Sequence, residues 1–355
     1  MRTPVRIVSI LSVGLCLAVA AVGFAQRGDK PASTASDTTA RIVAAAQAVV
    51  ATLDDAGKAK VQFPFEGPQK TRWSNLPVGI FQREGLLLRD LTPPQRAAVN
   101  TLLATALSKD GLRKVTEIMG GDEALRIAQS GGGDGRGRGG ARGGGVQFGG
   151  DLYFLAFVGT PSVSEPWMLQ FGGHHLAINL TMAGNQSSMA PSLPATQPAT
   201  YTLEGRTIRP LGNESDKAFA LVNALDDDQR KQAVLGYTVS DLVLGPLQDG
   251  KTIQPEGVRA SALIAPQQTM LLELVREWAG IMNDTFAEAK MAEIRTNLPD
   301  TYFAWSGPTT NGSAAYFRIQ GPTLVIEYAP QSGIDHIHTI YRDPTNDYGA
   351  KFARK

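Results

Sequence analysis

The sequence predicts an α+β fold in a single large domain, with an antiparallel sheet and helices packed on one side of it. Segments with helical periodicity and segments with strand-like alternation come in separate runs, which favours α+β over a regular alternation of the two. The segment 301–343 alternates like an antiparallel meander. A chain of 355 residues, of which 43% are hydrophobic, can also bury one sizeable core.

Residues 1–25 are predicted to be a signal peptide. Two arginines precede an apolar run that ends with small residues at Gly23 and Ala25, which is the layout that a signal peptidase recognises. Cleavage after Ala25 would make the mature protein periplasmic or secreted, with no stable membrane insertion. The alternative is an uncleaved anchor, because the run is just long enough to cross a bilayer.

Charge and cysteine content argue against several classes of protein. The net charge of +1 becomes −1 once Arg2 and Arg6 are removed, so no overall attraction to nucleic acid or to an anionic membrane is expected. Cys16 is the only cysteine and leaves with the signal peptide, so no disulfide is expected in the mature chain. Its stability then depends on its core or on a metal.

The predicted domain covers residues 37–355, after a polar tail at 26–36 that is predicted to be disordered. Apolar periodicity and capping residues such as Thr92 define the elements of its first part. They are short strands and turns at 61–81 and helices at 37–55, 88–111 and 112–129.

Residues 130–147 are too rich in glycine to form a packed element. Arg136, Arg138 and Arg142 give this segment the composition of an RNA-binding arginine–glycine box. The alternative is a flexible surface insertion between a helix and a strand. The insertion is the favoured interpretation, because the chain carries an export signal and RNA is scarce outside the cytoplasm; no nucleic-acid partner is expected.

The second part of the domain predicts hairpins, helix pairs and the final meander. Gly172–Gly173 is the predicted turn of one hairpin, and Glu204–Gly205 is the predicted turn of another. The predicted elements are a strand at 151–159, hairpins at 166–184 and 198–212, helix pairs at 214–236 and 265–298, and four strands between 301 and 343.

All four histidines of the chain fall in two short clusters, His174–His175 and His336–His338. Residues i and i+2 of a strand share a face, so the imidazoles of His336 and His338 are expected to project together. Neighbouring residues of a strand face opposite ways, so only one of His174 and His175 is expected to join them. The spacing does not decide which one.

The two clusters predict a site for one divalent metal ion, either zinc, copper or iron, because neutral imidazole binds all three. The alternative is that the histidines are core residues that bond to backbone carbonyls. No nucleophile elbow, phosphate loop or dinucleotide fingerprint is present in the sequence. A fourth ligand is expected from the carboxylates of Glu165, Glu327, Asp335 or Asp343.

Arg342 and Asp343 are the predicted catalytic residues, since they add polar groups at the end of the strand that carries the second histidine cluster. A guanidinium there could bind a carboxylate or phosphate of a small-molecule substrate or ligand. The alternative is a local ion pair between Arg342 and Asp343 or Asp347. Gln170, which precedes the first cluster, is expected either to orient a ligand or to pair with backbone.

Several motifs, in order, resemble those of the DUF3500 family, among them "RWSNLP", "GGHHLAINLT", "AFALVNALDDDQR", "YFRIQGPTLVIEY" and "HIHTIYRDPTNDYG". The resemblance covers about Thr71 to Gly349, and the Gly-rich insertion departs from it. It implies no established activity. It does imply that the family signature includes Gly173, His174, His175, His336, His338, Arg342, Asp343 and Pro344.

The leading hypothesis is therefore a secreted or periplasmic enzyme in which a metal activates water for hydrolysis or supports an oxidation. The competing hypothesis is a non-catalytic binding module, whose histidines hold a structural metal or a ligand. A closed set of four protein ligands would favour the binding module. An open coordination position beside a cleft would favour the enzyme.

Overall fold

The computed structural model describes residues 33–131 and 145–352. The predicted signal peptide 1–25, most of the tail 26–36 and the centre of the Gly-rich insertion lie outside the described residues. The first helix begins at Ala35, two residues before the predicted start of the domain. Within the described ranges, no helix combines the length and the apolar character needed to cross a bilayer.

The helices follow the predicted segments closely. Thr92 and Gln95 form a reciprocal capping box at the start of one helix, and Asn283 caps the second helix of the pair predicted at 265–298. The α-helices are α1 (Ala35–Ala51), α2 (Asp55–Val61), α3 (Pro93–Ala106), α4 (Lys109–Gly131), α5 (Gly212–Ala224), α6 (Asp227–Ala233), α7 (Ala265–Ala279) and α8 (Asp284–Thr296).

The strands form two larger sheets and a separate hairpin. The first sheet has the order β1-β3-β4-β5-β6, with β2 beside β3 and β7 beside β5, and only the β1–β3 pair is parallel. Its strands are β1 (Gln62–Phe63), β2 (Leu86–Leu87), β3 (Phe154–Val158), β4 (Trp167–Gly173), β5 (Leu176–Ala183), β6 (Gln186–Ser188) and β7 (Leu193–Pro194).

The later strands form the predicted hairpin and the predicted meander. The hairpin of β8 (Tyr201–Leu203) and β9 (Arg206–Ile208) turns at Glu204–Gly205, as predicted. The second sheet is antiparallel in the order β10-β11-β12-β13-β14. Its strands are β10 (Val258–Arg259), β11 (Tyr302–Ser306), β12 (Tyr316–Gly321), β13 (Leu324–Pro330) and β14 (Ile337–Arg342).

The α+β class and the single domain are confirmed, but the prediction of one sheet is wrong. Each sheet has its own apolar core: one contains residues of α1, α3 and β3–β5, and the other residues of α5, α7 and β11–β14. Twisted open sheets of many strands tend to split into separate sheets. Two sheets with separate helix layers bury more apolar surface than one sheet covered on one side.

The segment 192–196 connects the two sheets. Leu193 pairs with Ala177 of β5, while Ser192 and Thr196 exchange backbone hydrogen bonds of 2.8–2.9 Å with Tyr341 and Ile337 of β14. An extended segment therefore lies between an inner strand of the first sheet and an edge strand of the second. The β4–β5 turn and the start of β14, which carry the two histidine clusters, come together as a result.

Replacing Gly257 with alanine should destabilise the fold strongly. Gly257 has φ +101°, and an added Cβ would lie 2.1 Å from the carbonyl oxygen of Phe303 in β11. The main chain must move, so we expect a loss of more than about 3 kcal/mol of unfolding free energy in urea titrations. Gly250→Ala is the control: its φ is +75° but it faces open space, so only about 1–2 kcal/mol of strain is expected. Equal losses would contradict the steric explanation.

Candidate metal centre

The first histidine cluster forms the turn between β4 and β5. Gly173 pairs with Leu176 across the hairpin, so the turn residues are His174 and His175, and the predicted turn at Gly172–Gly173 is wrong. The glycine is needed inside β4 because a Cβ on Gly173 would lie 2.7 Å from the ring of Tyr153. The two imidazoles do not face opposite ways: they lie against each other with centroids 3.6 Å apart.

His175 has a backbone conformation that is unusual for its residue type. Its φ is +59°, which costs a residue with a side chain about 1–2 kcal/mol. Hydrogen bonds on both sides hold it in place: its N–H donates to Asn75 O at 3.1 Å, and its carbonyl accepts from Ala195 N at 2.8 Å. Strain of this kind is concentrated at functional sites. The positive φ of His175 therefore points to a function for this turn.

The second cluster meets the first through His175. His336 precedes β14 directly and His338 lies in it, with ring centroids 4.6 Å apart. His175 Nε2 lies 2.9 Å from His336 Nε2, and one ligand nitrogen from each of these three residues lies within 4.8 Å of the others. The structure thus shows the predicted convergence and selects His175, rather than His174, to complete the group with His336 and His338.

Asp241 and Asn75 fix the tautomer of His338. His338 Nδ1 lies 3.3 Å from Asp241 Oδ1, a contact that requires the proton on Nδ1. His338 Nε2 then carries the lone pair and accepts from Asn75 Nδ2 at 3.2 Å. A carboxylate on the far nitrogen of an imidazole is the usual arrangement behind a metal-ligating histidine.

Burial raises the pKa of Asp241. The hydrogen bonds that its carboxylate accepts from His338 and from the Leu242 N–H lower the pKa and together outweigh burial, so the net change is downward. The group is therefore a carboxylate at neutral pH and can hold the His338 proton. Its position in the loop before β10, 97 residues from His338, gives no local sequence signal, and sequence reasoning missed it.

His174 belongs to a neighbouring buried group. Its Nδ1 lies 2.5 Å from Asp122 Oδ1, and its carbonyl accepts from the Tyr153 hydroxyl at 2.8 Å. Burial raises the pKa of Asp122, and the hydrogen bond with His174 only partly offsets this. Asp122, His174 and His175 also have ligand atoms within 4.8 Å of one another, while His175 Nδ1 is buried without a partner.

The carboxylates proposed as fourth ligands have other partners or lie outside the clusters. Glu327 accepts from the backbone N–H groups of Val243 and Leu244 and from the Tyr316 hydroxyl. Within the described chain, two groups of side chains could hold a metal ion, one with His175, His336 and His338 and one with Asp122, His174 and His175. Neither group includes any of the carboxylates from which a fourth ligand was expected: Glu165, Glu327, Asp335 and Asp343. Gln170 bonds to Gln69 and Asn179 and does not contact the histidines. The nearby carboxylates are instead Asp241 and Asp122.

Arg342 and Asp343 do not contact the histidines. Arg342 forms ion pairs with Asp249 and Asp347 and donates to two backbone carbonyls, which agrees with the local ion-pair interpretation. Asp343 accepts from Lys290 at 2.6 Å. Three residues of β14 lie between His338 and Arg342, which places their Cα atoms about 13 Å apart. A catalytic role for either residue stays a prediction, and their contacts tie down the end of the strand.

The imidazoles at the centre of the cluster are neutral at physiological pH. Burial, then the neighbouring imidazoles, lower the pKa of His175 well below its usual value. Burial and the neighbouring His338 lower the pKa of His336 to about 4. Metal binding needs a neutral imidazole, so these two rings can bind a cation at neutral pH without first losing a proton.

Acidification below pH 6.5 should destabilise the metal-free protein through His336. Above pH 6.5 both folded and unfolded states carry a neutral ring; below it the unfolded chain takes up a proton that the folded chain rejects until about pH 4. Stability is therefore lost between these pH values, by an amount on the order of 1 kcal/mol because the ring is partly exposed. Urea titrations in EDTA at several pH values measure it, and His336→Gln should flatten the pH dependence. An unchanged slope in that variant would refute the assignment.

The three residues His175, His336 and His338 fit a transition-metal ion. Ligands at about 2.0–2.1 Å in tetrahedral geometry place neighbouring nitrogens about 3.3 Å apart. The His175–His336 pair is already near this spacing at 2.9 Å, and the ligand atom of His338 lies within 4.8 Å of both. All three side chains are imidazoles, which zinc, copper and iron accept as ligands.

Fold and site together define an α+β protein with a three-histidine cluster at the junction of two sheets. The family model of DUF3500, a protein of unknown function, matches residues 35–350, and the chain belongs to this family. The match extends the resemblance seen in the motifs to include α1. No curated protein and no solved structure shows a significant match.

Proposed function

We propose that the protein is a metal-dependent enzyme with one divalent ion held by His175, His336 and His338. The observation that carries the proposal is the convergence of these three side chains, although His336 lies 161 residues beyond His175 in the chain. The strained backbone of His175 and the oriented tautomer of His338 support it, because neither is needed if the residues only fill a core.

The surroundings favour an open catalytic site over a closed structural one. Three protein ligands leave one coordination position of a tetrahedral ion for water or substrate. Asp241 is not part of the group of ligand atoms that lie within 4.8 Å of one another, and it contacts His338 Nδ1 instead. His336 and His338 are partly exposed, so the open position is accessible from solvent.

Hydrolysis is the chemistry that this set of ligands supports best. Three neutral imidazoles leave the full charge of a divalent ion in place, and such an ion lowers the pKa of its bound water to about 7. In the protein itself, Asp241 holds the proton of His338 and so keeps that ligand basic. The substrate is a small molecule that reaches a partly exposed centre.

The test is metal-dependent ester hydrolysis by the purified chain. EDTA-treated protein should be inactive toward p-nitrophenyl acetate, and one equivalent of zinc should restore a rate with an apparent pKa near 7. The control is Arg89→Ala, which removes a surface ion pair with Asp151 and should leave the rate unchanged. One tightly bound equivalent of zinc without any metal-dependent rate would support the non-catalytic binding module instead. Absence of metal binding would refute the metal-dependent enzyme and also a binding module that holds a structural metal.

A further inference from the structure

A second group of possible metal ligands lies next to the proposed metal centre. It consists of Asp122, His174 and His175, and one ligand atom from each lies within 4.8 Å of the others. All three residues are buried, and none exposes more than 6% of its surface. His175 belongs to both groups, so the two groups meet at a single imidazole ring.

The two ring nitrogens of His175 have different surroundings. Nε2 lies 2.9 Å from His336 Nε2 and therefore belongs to the proposed metal centre. Nδ1 is buried and has no hydrogen-bond partner. When an ion binds at Nε2, the proton of the neutral ring must lie on Nδ1, where the described chain offers it no acceptor. A buried donor without an acceptor is unfavourable, so the arrangement favours a partner for Nδ1 from outside the chain.

Asp122 and His174 supply further ligand atoms beside this ring. The rings of His174 and His175 lie against each other with centroids 3.6 Å apart. His174 Nδ1 lies 2.5 Å from Asp122 Oδ1 with a proton between them; an ion that displaces this proton needs the two atoms to separate to about 3.3 Å. Asp122 Oδ2 has only a long contact of 3.4 Å with the Tyr153 hydroxyl, so it is available as a fourth ligand atom.

The charges of this group suit a buried divalent cation. A buried charge is stable only when it is paired. Asp122 supplies one negative charge, and the His175 ring supplies a second when Nδ1 gives up its proton. Together they balance the charge of the ion. Arg83 opposes the binding of a cation, because its positive charge acts on Asp122, so this site is expected to be weaker than the first.

We propose that Asp122, His174 and Nδ1 of His175 form a second site for a divalent ion, so that His175 bridges two ions. The inference rests on the proposed function, because a cation at Nε2 makes the proton on Nδ1 easier to remove. That proton passes to solvent as the second ion binds, and each ring nitrogen then donates one electron pair to one ion. The ring of Phe148 lies 4.9 Å from that of His174 and helps to close the second site.

The experiment is a zinc titration of the EDTA-treated chain in competition with a chromophoric chelator. Two equivalents should bind in two steps, the second at least about 10-fold more weakly because the first ion and Arg83 repel it. All four histidines of the chain lie in the two groups, so no surface imidazole provides an additional site. A single bound equivalent overturns the inference and leaves the proposed function intact. No zinc binding at all refutes the proposed function as well.

Variants assign the second step to its ligands. Asp122→Asn removes the negative charge and keeps the size of the side chain, so the second step should be lost while the first weakens by no more than about 100-fold. His174→Ala should have the same effect and decides the matter if Asp122→Asn does not fold. Asp151→Asn removes a carboxylate from the surface ion pair with Arg89 and should leave both steps unchanged. A second step that survives in a folded Asp122→Asn or His174→Ala variant overturns the assignment.

Copper tests whether His175 is the bridge. One equivalent of copper(II) should give the electron paramagnetic resonance signal of an isolated ion. The second equivalent should weaken that signal instead of doubling it, because two copper(II) ions that share one imidazolate couple magnetically. His338→Ala should bind neither ion, since the second site depends on the first. An undiminished signal with two bound copper ions, or a second ion retained in His338→Ala, overturns the bridge.

Discussion

Replacing His338 with alanine should abolish stoichiometric zinc binding. The variant loses one of three ligands, and no other imidazole of the described chain can reach its place, since His174 is held by Asp122. We expect the zinc affinity to fall by far more than the 10–100-fold that the loss of an outer-shell partner costs. Competition titration with a chromophoric chelator measures the affinity, and His175→Ala and His336→Ala should behave in the same way.

Two further variants separate ligands from supporting residues. Asp241→Asn keeps the three imidazoles but weakens the acceptor for the His338 proton, so a 10–100-fold loss of affinity is expected. His174→Ala leaves all three ligands in place and should lower the zinc affinity by no more than about 100-fold. A loss in His174→Ala as large as in His338→Ala would contradict the assignment and would favour the group formed with Asp122.

Replacing Lys114 with methionine should destabilise the protein by about 3–5 kcal/mol, because it leaves buried carboxylates without their cation. Lys114 Nζ bonds to Glu214, and it also lies 3.1 Å from a carboxylate oxygen of Glu277. Glu214 is completely buried, and its second carboxylate oxygen has no partner. Burial raises the pKa of Glu214, while the charge of Lys114 opposes this change. Urea unfolding at pH 7 measures the loss.

Lys217→Met is the matched control for Lys114→Met. Lys217 pairs with the same Glu277 at 2.7 Å, but its side chain is 36% exposed, so a loss of no more than about 1 kcal/mol is expected. Adding Glu214→Leu to Lys114→Met should recover part of the stability, since the pair is then replaced by apolar groups. Similar losses in the two single variants would show that burial of the pair is not the cause.

The sequence predicted the elements well where local signals were strong. The meander 301–343 alternates over each strand and is interrupted by turn residues, so β11–β14 lie where expected. The division into two sheets could not be predicted, because it depends on how the segment 192–196 pairs with strands far away in the chain. Alternation shows that a residue lies in a strand but not which strand lies beside it.

The candidate site was predicted in part for similar reasons. The scarcity of histidine and the i, i+2 spacing of His336 and His338 identified the clusters. The selection of His175 depends on a left-handed turn that the sequence assigned to two glycines instead. Asp241, Asn75 and Asp122 are single polar residues at distant positions, and only the tertiary structure brings them to the imidazoles.

The order in which ribosomes make the chain gives the two-cluster arrangement a further consequence. The hairpin with His175 is made first, and His336 follows it only 161 residues later. A nascent chain therefore has no complete set of three imidazoles until His338 has been added. Under the proposed function, metal capture must follow the synthesis of His338, and a product interrupted before this residue lacks the site even where its first sheet has folded.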